Sequence, residues 1–220
     1  MAPTPATEIA TIPLQAGATI EDPETPAGKI WSATLDTISQ QDGYQRCYYG
    51  RHVEAQTSLD LFVDWDSFEH HQTFTKSPVY GPFEKNLSSI MDGSVVMRHA
   101  TLDPHPPSNA VGNTSVPVTE VLYTYLDGRD ETYESNAKKF GEILVSKSDA
   151  CKGVSTGWVR EQLAGPNADA SDKKDVFIML IGWESKEQHM EFRGSKDFQD
   201  AIPLVRKGTL DMHHTSFNEK

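Results

Sequence analysis

An eighteen-residue stretch occurs twice in this chain, and the repetition restricts the folds that the chain can adopt. The first copy spans residues 63–80 and the second spans residues 181–198, at a constant offset of 118. Six positions are identical without a gap: Trp65 and Trp183, Ser67 and Ser185, Glu69 and Glu187, His71 and His189, Phe74 and Phe192, and Ser77 and Ser195. Aromatic Tyr80 also matches aromatic Phe198. This self-similarity predicts one structural unit written twice.

The charge and hydropathy of the chain exclude several classes of function. The formal net charge is −12, and no cluster of five or more basic residues occurs. Nucleic acid and anionic membranes attract positive charge, so we expect neither as a partner. No apolar run is long enough for a transmembrane helix, and the N-terminus lacks the basic and apolar regions of a signal peptide. Cys47 and Cys151 fall at non-equivalent points of the repeats, so we expect reduced thiols and a cytoplasmic protein.

The first half of the chain reads as four strands and two helical regions. Residues 1–7 are rich in proline and threonine, and we expect them to be frayed. Strands are predicted over residues 8–14, 44–54, 59–65 and 94–102. A helix is predicted over residues 28–41, because Trp31, Leu35 and Ile38 recur at helical spacing. A second helical region begins near Phe68, after a capping residue at Asp66 or Ser67, and continues beyond Pro78.

The second half repeats this series after a linker. Residues 103–116 contain three prolines with glycine, asparagine and serine, which indicates the linker. Strands are predicted over residues 119–126, 153–162, 176–183 and 208–217, and helices around the stripe from Tyr133 to Leu144 and over residues 184–205. The opening Thr-Glu of the first strand recurs at Thr119 and Glu120. We therefore predict a first repeat over residues 1–102 and a second over residues 117–220.

Each repeat has the order βαββαβ, which is the ferredoxin-like split βαβ arrangement. Such a unit carries helices on only one face of its sheet, so the other face must be covered. The prediction is an α+β fold in which two tandem repeats pack sheet to sheet as a barrel within one chain.

The element order and the pattern W-[DE]-S-x-E-x-H-x-x-F-x-x-S resemble the antibiotic biosynthesis monooxygenase-like family of dimeric α+β barrels. The pattern begins at Trp65 and at Trp183. Members of that family are usually single repeats that dimerise, and this chain is similar to the fused pairs familiar in fungal members. The resemblance implies one of several activities, among them cofactor-free oxygenation of polyketide anthrones and quinols, haem degradation and muconolactone-type isomerisation. The motif belongs to the fold and not to one reaction.

Two repeated histidine pairs are the candidate catalytic groups. His71 and His189 lie on the helix after the third strand, where each is interpreted as a general base, a haem ligand or a structural histidine. His99 and His214 lie in the middle of the last strand of each repeat. Strand alternation puts His99 on one face with Met97, where it lines either a pocket or a packed interface. No carboxylate or cysteine stands at ligand spacing from these histidines, so we expect no metal site.

Aromatic side chains and one arginine are the candidate substrate-binding groups. Such residues can enclose a flat aromatic molecule or form the core of a small barrel. The predicted binding set is Trp65, Tyr49, Tyr80, Arg98, Trp158, Trp183 and His189, beside the catalytic candidates His71, His99 and His214. The repeats also differ at Asp64, Arg98, Tyr49 and His70, so one repeat can differ from the other in function.

The leading hypothesis is an enzyme of secondary metabolism that needs no cofactor. A pocket histidine, His71 or His99, would remove a proton from an aromatic or polyketide-like substrate, and oxidation by O₂, isomerisation or cyclisation would follow. One alternative is a non-catalytic, stress-responsive or ligand-binding barrel, which a packed interior would favour. Another is a haem-binding barrel. Closure within the chain is compatible with a monomer or a homodimer.

Overall fold

The strands and helices follow the predicted order in both halves of the chain. A computed structural model describes residues 3–112 and 116–220. Residues 113–115 of the predicted linker lie outside the described residues. The chain divides into one compact unit of residues 1–99 with 219–220 and another of residues 100–218. No helix among residues 3–112 and 116–220 is long and apolar enough to cross a membrane.

The first unit is built from a four-stranded antiparallel arrangement and three helices. Its elements are β1 (Ala6–Pro13), α1 (Pro26–Ser39), β2 (Tyr44–Arg51), β3 (Ser58–Trp65), α2 (Phe68–Thr75), α3 (Tyr80–Ser88) and β4 (Val96–Asp103), with the unit boundary inside β4 after His99. The strands lie in the order β2-β3-β1-β4. β1 begins at Ala6, and Thr7 is fully buried, so the expectation that residues 1–7 fray is wrong from Ala6 onward.

The second unit repeats this arrangement with longer elements. Its elements are β5 (Val118–Leu126), α4 (Glu131–Lys147), β6 (Cys151–Val159), β7 (Leu163–Ala164), β8 (Lys173–Trp183), α5 (Lys186–Arg193), α6 (Lys196–Ala201), a 3-10 turn (Ile202–Leu204) and β9 (Thr209–Thr215). The short strand β10 (Asn218–Glu219) contains the boundary between the units, after Asn218. The main strands lie in the order β6-β8-β5-β9. The predicted α+β fold of two tandem ferredoxin-like repeats is confirmed.

Each unit has its own hydrophobic core between sheet and helices. In the first unit, the predicted helical stripe of Trp31, Leu35 and Ile38 is buried against the sheet. In the second, Tyr133, Ala137, Phe140 and Leu144 are buried in the same way. Residues 176–183 of β8 are buried at every position, as predicted for a strand covered on both faces.

Strand register places the two copies of the repeated tryptophan opposite the start of the first strand. In the first unit, Glu8 opposes Val63 and Ala6 opposes Trp65. In the second, Glu120 opposes Ile181 and Val118 opposes Trp183. Since side chains two residues apart share a face, each tryptophan lies diagonally across from a glutamate on the same face.

Candidate functional site

Four side chains from different elements form a buried polar cluster in the first unit. Glu8 comes from β1, Trp65 from the end of β3, His71 from α2 and His99 from β4. Their exposed fractions lie between 0% and 7%. We refer to this group as the first cluster.

The contacts of the first cluster run in a line from the indole to the second imidazole. Trp65 Nε1 donates a hydrogen bond of 3.0 Å to Glu8 Oε2. The same carboxylate oxygen lies 3.4 Å from His71 Nε2. His71 Nδ1 then lies 2.7 Å from His99 Nε2. Both ring nitrogens of His71 therefore face a polar partner inside the protein.

The second unit contains the same arrangement, made by Glu120, Trp183, His189 and His214. Trp183 Nε1 donates to Glu120 Oε2 at 3.2 Å, and that oxygen lies 3.3 Å from His189 Nε2. His189 Nδ1 lies 2.8 Å from His214 Nε2. The Trp183 and His189 rings are stacked with centroids 4.6 Å apart. We refer to this group as the second cluster.

Burial changes the protonation of the second cluster. Burial raises the pKa of Glu120 to about 7, although the hydrogen bond from Trp183 and the charge of Arg193 act in the opposite direction. Burial also lowers the pKa of His189 to about 3, helped by His214 and Arg193. Desolvation disfavours the charged form of either group. The His189 ring is therefore neutral at neutral pH, while Glu120 titrates there.

Two arrangements of protons satisfy a cluster without charging an imidazole. With the glutamate ionised, the first histidine can donate from Nε2 to the carboxylate and accept at Nδ1 from the second histidine. With the glutamate protonated, the carboxyl can donate to Nε2, and the first histidine then donates from Nδ1. A neutral imidazole has one donor and one acceptor nitrogen, so a change of tautomer joins the two arrangements. The geometry suits a carboxyl group that gains and loses a proton.

A cavity of about 400 Å³ opens beside the first cluster. Glu8, Ala10 and Ile12 of β1 contribute one wall, and His71 and other side chains complete the enclosure. The remaining lining residues are Ile38, Leu61, Phe74, Tyr80, Phe83, Glu84, Leu87, Ser88, Met91, Gly93, Ser94, Val95 and Met97. Among them, Glu84, Ser88, Gly93 and Ser94 are exposed and mark the mouth of the cavity. The volume is within the usual range for a small-molecule site.

The predicted binding residues divide by their position relative to this cavity. His71 and Tyr80 line the cavity, and His99 supports His71 from behind. Trp65 is fully buried and is not part of the lining, but it donates a hydrogen bond to Glu8, which is. Trp183, His189 and His214 belong to the second cluster.

Three predicted binding residues lie away from the cavity. Tyr49 packs edge-on against Trp31 with ring centroids 5.4 Å apart. Arg98 donates from Nη1 to Thr11 Oγ1 at 3.3 Å, and Thr11 alternates with the cavity-lining residues of β1. Trp158 donates from Nε1 to Glu134 at 2.8 Å. None of the three is part of the lining of the 400 Å³ cavity.

The glutamates of the two clusters are the residues that the sequence-based prediction misses. In the sequence, Glu8 and Glu120 stand out only as part of the shared Thr-Glu opening of β1 and β5. A glutamate near the start of a strand usually faces solvent. Here Glu8 is 6% exposed and Glu120 is 8% exposed. One signal in the sequence could have identified them. In both repeats the glutamate is followed two residues later, on the same strand face, by an apolar residue, Ala10 or Leu122.

Haem ligation by these histidines does not fit the geometry. An iron ligand needs a ring nitrogen that is free to coordinate. In His71 one nitrogen faces His99 and the other faces Glu8, and His189 is engaged in the same way by His214 and Glu120. Coordination would break one of these contacts in a buried site.

Comparisons with solved structures give the fold. An anthrone oxidase-like protein aligns with 98% of this chain and 93% of its own, at a TM-score of 0.64 and 12% identity. A candidate monooxygenase from Fusobacterium nucleatum aligns with 99% of this chain and 94% of its own, at a TM-score of 0.62 and 12% identity. A candidate monooxygenase from Lactobacillus acidophilus covers 97% of this chain and 94% of its own, at a TM-score of 0.57 and 10% identity.

Sequence comparisons add no closer relationship. No protein-family profile matches the chain. A comparison with curated proteins returns no match either. The structural likeness extends over both repeats, since each of the three proteins aligns with nearly the whole chain. The chain therefore has the two-repeat α+β fold of the anthrone oxidase-like protein and of these two monooxygenase-like proteins.

Proposed function

We propose that the first repeat is the active site of a cofactor-independent oxygenase that acts on an aromatic substrate with an acidic C–H or O–H group. The observation that carries this proposal is the position of Glu8. Its carboxylate is buried, contacts His71 and forms part of the wall of a mostly apolar cavity of about 400 Å³. A carboxylate held this way is a suitable general base.

The lining of the cavity indicates the charge of the substrate. Of the described residues that line the cavity, two are glutamates, Glu8 and Glu84, and none is a lysine or arginine. An anionic ligand would meet repulsion without a compensating cation. Phe74, Tyr80 and Phe83 add aromatic surface to this lining. These features favour a neutral, flat, aromatic molecule, and an anthrone of the kind named in one structural neighbour is a suitable test substrate.

The proposed reaction balances with O₂ as the second substrate. Glu8 removes a proton from the methylene carbon of the anthrone, and the resulting carbanion transfers an electron to O₂. Recombination forms a C–O bond, and the peroxide takes the proton from Glu8. Loss of the second C–H proton to Glu8 then breaks the O–O bond, and the leaving hydroxide takes that proton. The products are the anthraquinone and one water for each O₂, and Glu8 is ionised again.

His71 and His99 have a supporting role in this scheme, which differs from the prediction that a histidine is the base. Their tautomers allow Glu8 to be ionised or protonated without a charged imidazole in the core. Trp65 keeps the carboxylate oriented through its hydrogen bond at 3.0 Å. His71 also lines the cavity, so in this scheme it would face the charge that develops on the substrate.

The test is oxygen consumption with 1,8-dihydroxyanthrone, followed by the absorbance of the quinone. The expected result is one O₂ consumed per quinone formed, and a loss of turnover of at least about a hundredfold in Glu8→Gln. Glu120→Gln is the matched control, because it makes the same change in the second cluster, and it should keep turnover. Turnover that survives Glu8→Gln, or a wild-type protein that produces no quinone above the spontaneous rate, would contradict the proposal.

The cavity also bears on the alternative of a non-catalytic barrel. That hypothesis predicts a packed interior, and a cavity of about 400 Å³ beside a buried acid does not favour it. A silent binding protein would take up the anthrone without consuming O₂, so the same experiment separates the two functions.

A further inference from the structure

The second repeat keeps the buried polar cluster of the first repeat but has much less space beside it. The cavity next to Glu120 has a volume of about 190 Å³, less than half of the volume next to Glu8. The contacts within the two clusters agree to within a few tenths of an ångström. The difference between the repeats therefore lies in the walls of the cavities and not in the acid-base groups.

Comparison of equivalent wall positions locates the difference. Ala10, two residues after Glu8 on the same face of β1, corresponds to Leu122, two residues after Glu120 on β5. Both are buried, at 2% and 7% exposure. Leucine carries three more carbon atoms than alanine and lies directly beside the glutamate. At this buried wall position, the second repeat fills space that the first repeat leaves open.

Two further wall positions make the second cavity more apolar or smaller. Glu84 corresponds to Ile202, and Val95 corresponds to Leu210. Leu210 is 40% exposed and Ile202 is only partly buried, so both lie nearer to the surface than Leu122. Of these three positions, Leu122 is the most buried, and it lies on the strand of the carboxylate, two residues from Glu120.

We infer that the residue at the position of Ala10 and Leu122 decides whether a repeat admits the aromatic substrate, so that the first repeat binds it and the second does not. This inference rests on the proposed function for the identity of the substrate. The second cluster then serves stability, since its buried hydrogen bonds join β5, β8, α5 and β9. Shortening the side chain of Leu122 should enlarge the second cavity next to Glu120.

The test counts binding sites for an uncharged two-ring fluorescent probe, 6-propionyl-2-(dimethylamino)naphthalene. The wild-type chain should bind one probe molecule, with the blue-shifted emission of an apolar site. Ala10→Leu should weaken this site at least tenfold, and Leu122→Ala should bind two probe molecules. The double variant should bind one, now in the second repeat. The second site in Leu122→Ala should saturate at one further molecule, which distinguishes it from the non-saturating uptake of apolar dyes by a partly unfolded chain.

Two measurements keep the inference separate from the proposed function. Crystals of Leu122→Ala under xenon pressure should show xenon beside Glu120, where wild-type crystals show less or none, because apolar cavities bind xenon. If wild-type protein binds one probe but does not oxidise anthrone, the proposed function fails and the inference stands. If Ala10→Leu binds the probe and oxidises anthrone as well as the wild type, or Leu122→Ala gains no site, the inference is wrong.

Discussion

Trp65 Nε1 lies 3.0 Å from Oε2 of Glu8 and donates a hydrogen bond to it. This contact changes the interpretation of the repeated tryptophan, for which the sequence predicts a place in the pocket wall. Trp65 lies behind the cavity and positions the carboxylate that lines it. Trp183 has the same relationship to Glu120 at 3.2 Å. Tryptophan at the end of the third strand is therefore the donor that orients a buried acid in both repeats.

The first prediction concerns this donor in the second repeat. Burial raises the pKa of Glu120, and the hydrogen bond from Trp183 stabilises the ionised form and so limits the rise, which ends at about 7. Trp183→Phe removes the donor and keeps most of the ring, so the pKa of Glu120 should rise by on the order of one unit. Carboxyl ¹³C shifts measured against pH would report the change. Trp158→Phe is the control, since its indole bonds Glu134, and an unchanged Glu120 in Trp183→Phe would refute the assigned role.

The sequence predicts the two-repeat fold because its signals are local or periodic. The stripe of Trp31, Leu35 and Ile38 and the apolar run of β8 follow correctly from spacing alone. Both histidine pairs are also identifiable from the repeat. Their contact with each other is not, because His71 and His99 come from a helix and a strand and are 28 residues apart. Side-chain contact across such a separation depends on how the elements pack, which periodicity does not contain.

The role of Glu8 could not be predicted for a different reason. Burial of a carboxylate is costly unless donors satisfy it, so a strand glutamate is ordinarily assigned to the exposed face. The indole of Trp65, 57 residues away, donates to Glu8, and the Nε2 atom of His71 lies 3.4 Å from the same carboxylate oxygen. Residue type alone assigns Arg98 and Tyr49 to the pocket, and their actual positions beside Thr11 and Trp31 follow from strand alternation and ring packing.

The second prediction is the pH dependence of folding set by the second cluster. His189 has a pKa of about 3 when folded, below its ordinary 6.5, and Glu120 has one of about 7, above its ordinary 4.5. Between about pH 4.5 and 6.5, the unfolded chain carries a proton on the histidine that the folded chain lacks, and the folded chain carries one on the glutamate that the unfolded chain lacks. The two contributions to the pH dependence of the free energy of unfolding therefore cancel. Below about pH 4.5 only the histidine contributes, and the free energy of unfolding falls as pH falls.

His189→Asn should remove the histidine contribution and leave that of Glu120. The free energy of unfolding of the variant, relative to wild type, should then rise as pH falls from about 6.5 to 3, with a limiting slope of about 1.4 kcal/mol per pH unit. Urea unfolding at a series of pH values measures this difference. His70→Asn is the control, since that ring is partly exposed. A difference that does not vary with pH would show that His189 titrates normally.

The third prediction compares the threonines that precede the two glutamates. Thr7 donates from Oγ1 to the buried carboxylate of Asp64 at 2.5 Å, whereas the equivalent Thr119 donates to the Ala110 carbonyl at 2.6 Å. Both threonines are fully buried. Thr7→Val should lower the free energy of unfolding by about 2–3 kcal/mol, because a buried carboxylate loses a donor, and Thr119→Val by about 1 kcal/mol. Equal losses on chemical denaturation would mean that the bond to the Asp64 carboxylate contributes no more than the bond to a backbone carbonyl.

The fourth prediction concerns the charge at the mouth of the first cavity. Glu84 lines the cavity and is exposed, and the cavity contains a second carboxylate at Glu8. Neutral 2-naphthol should therefore bind more tightly than anionic 2-naphthoate. Glu84→Lys should strengthen naphthoate binding by about two- to fivefold and leave naphthol binding unchanged, since an exposed ion pair contributes up to about 1 kcal/mol. Glu187→Lys makes the same change in net charge on an exposed residue of α5 and should alter neither affinity. Calorimetric titration measures the affinities of both ligands. If Glu84→Lys and Glu187→Lys change the naphthoate affinity equally, the effect comes from net charge and not from the cavity.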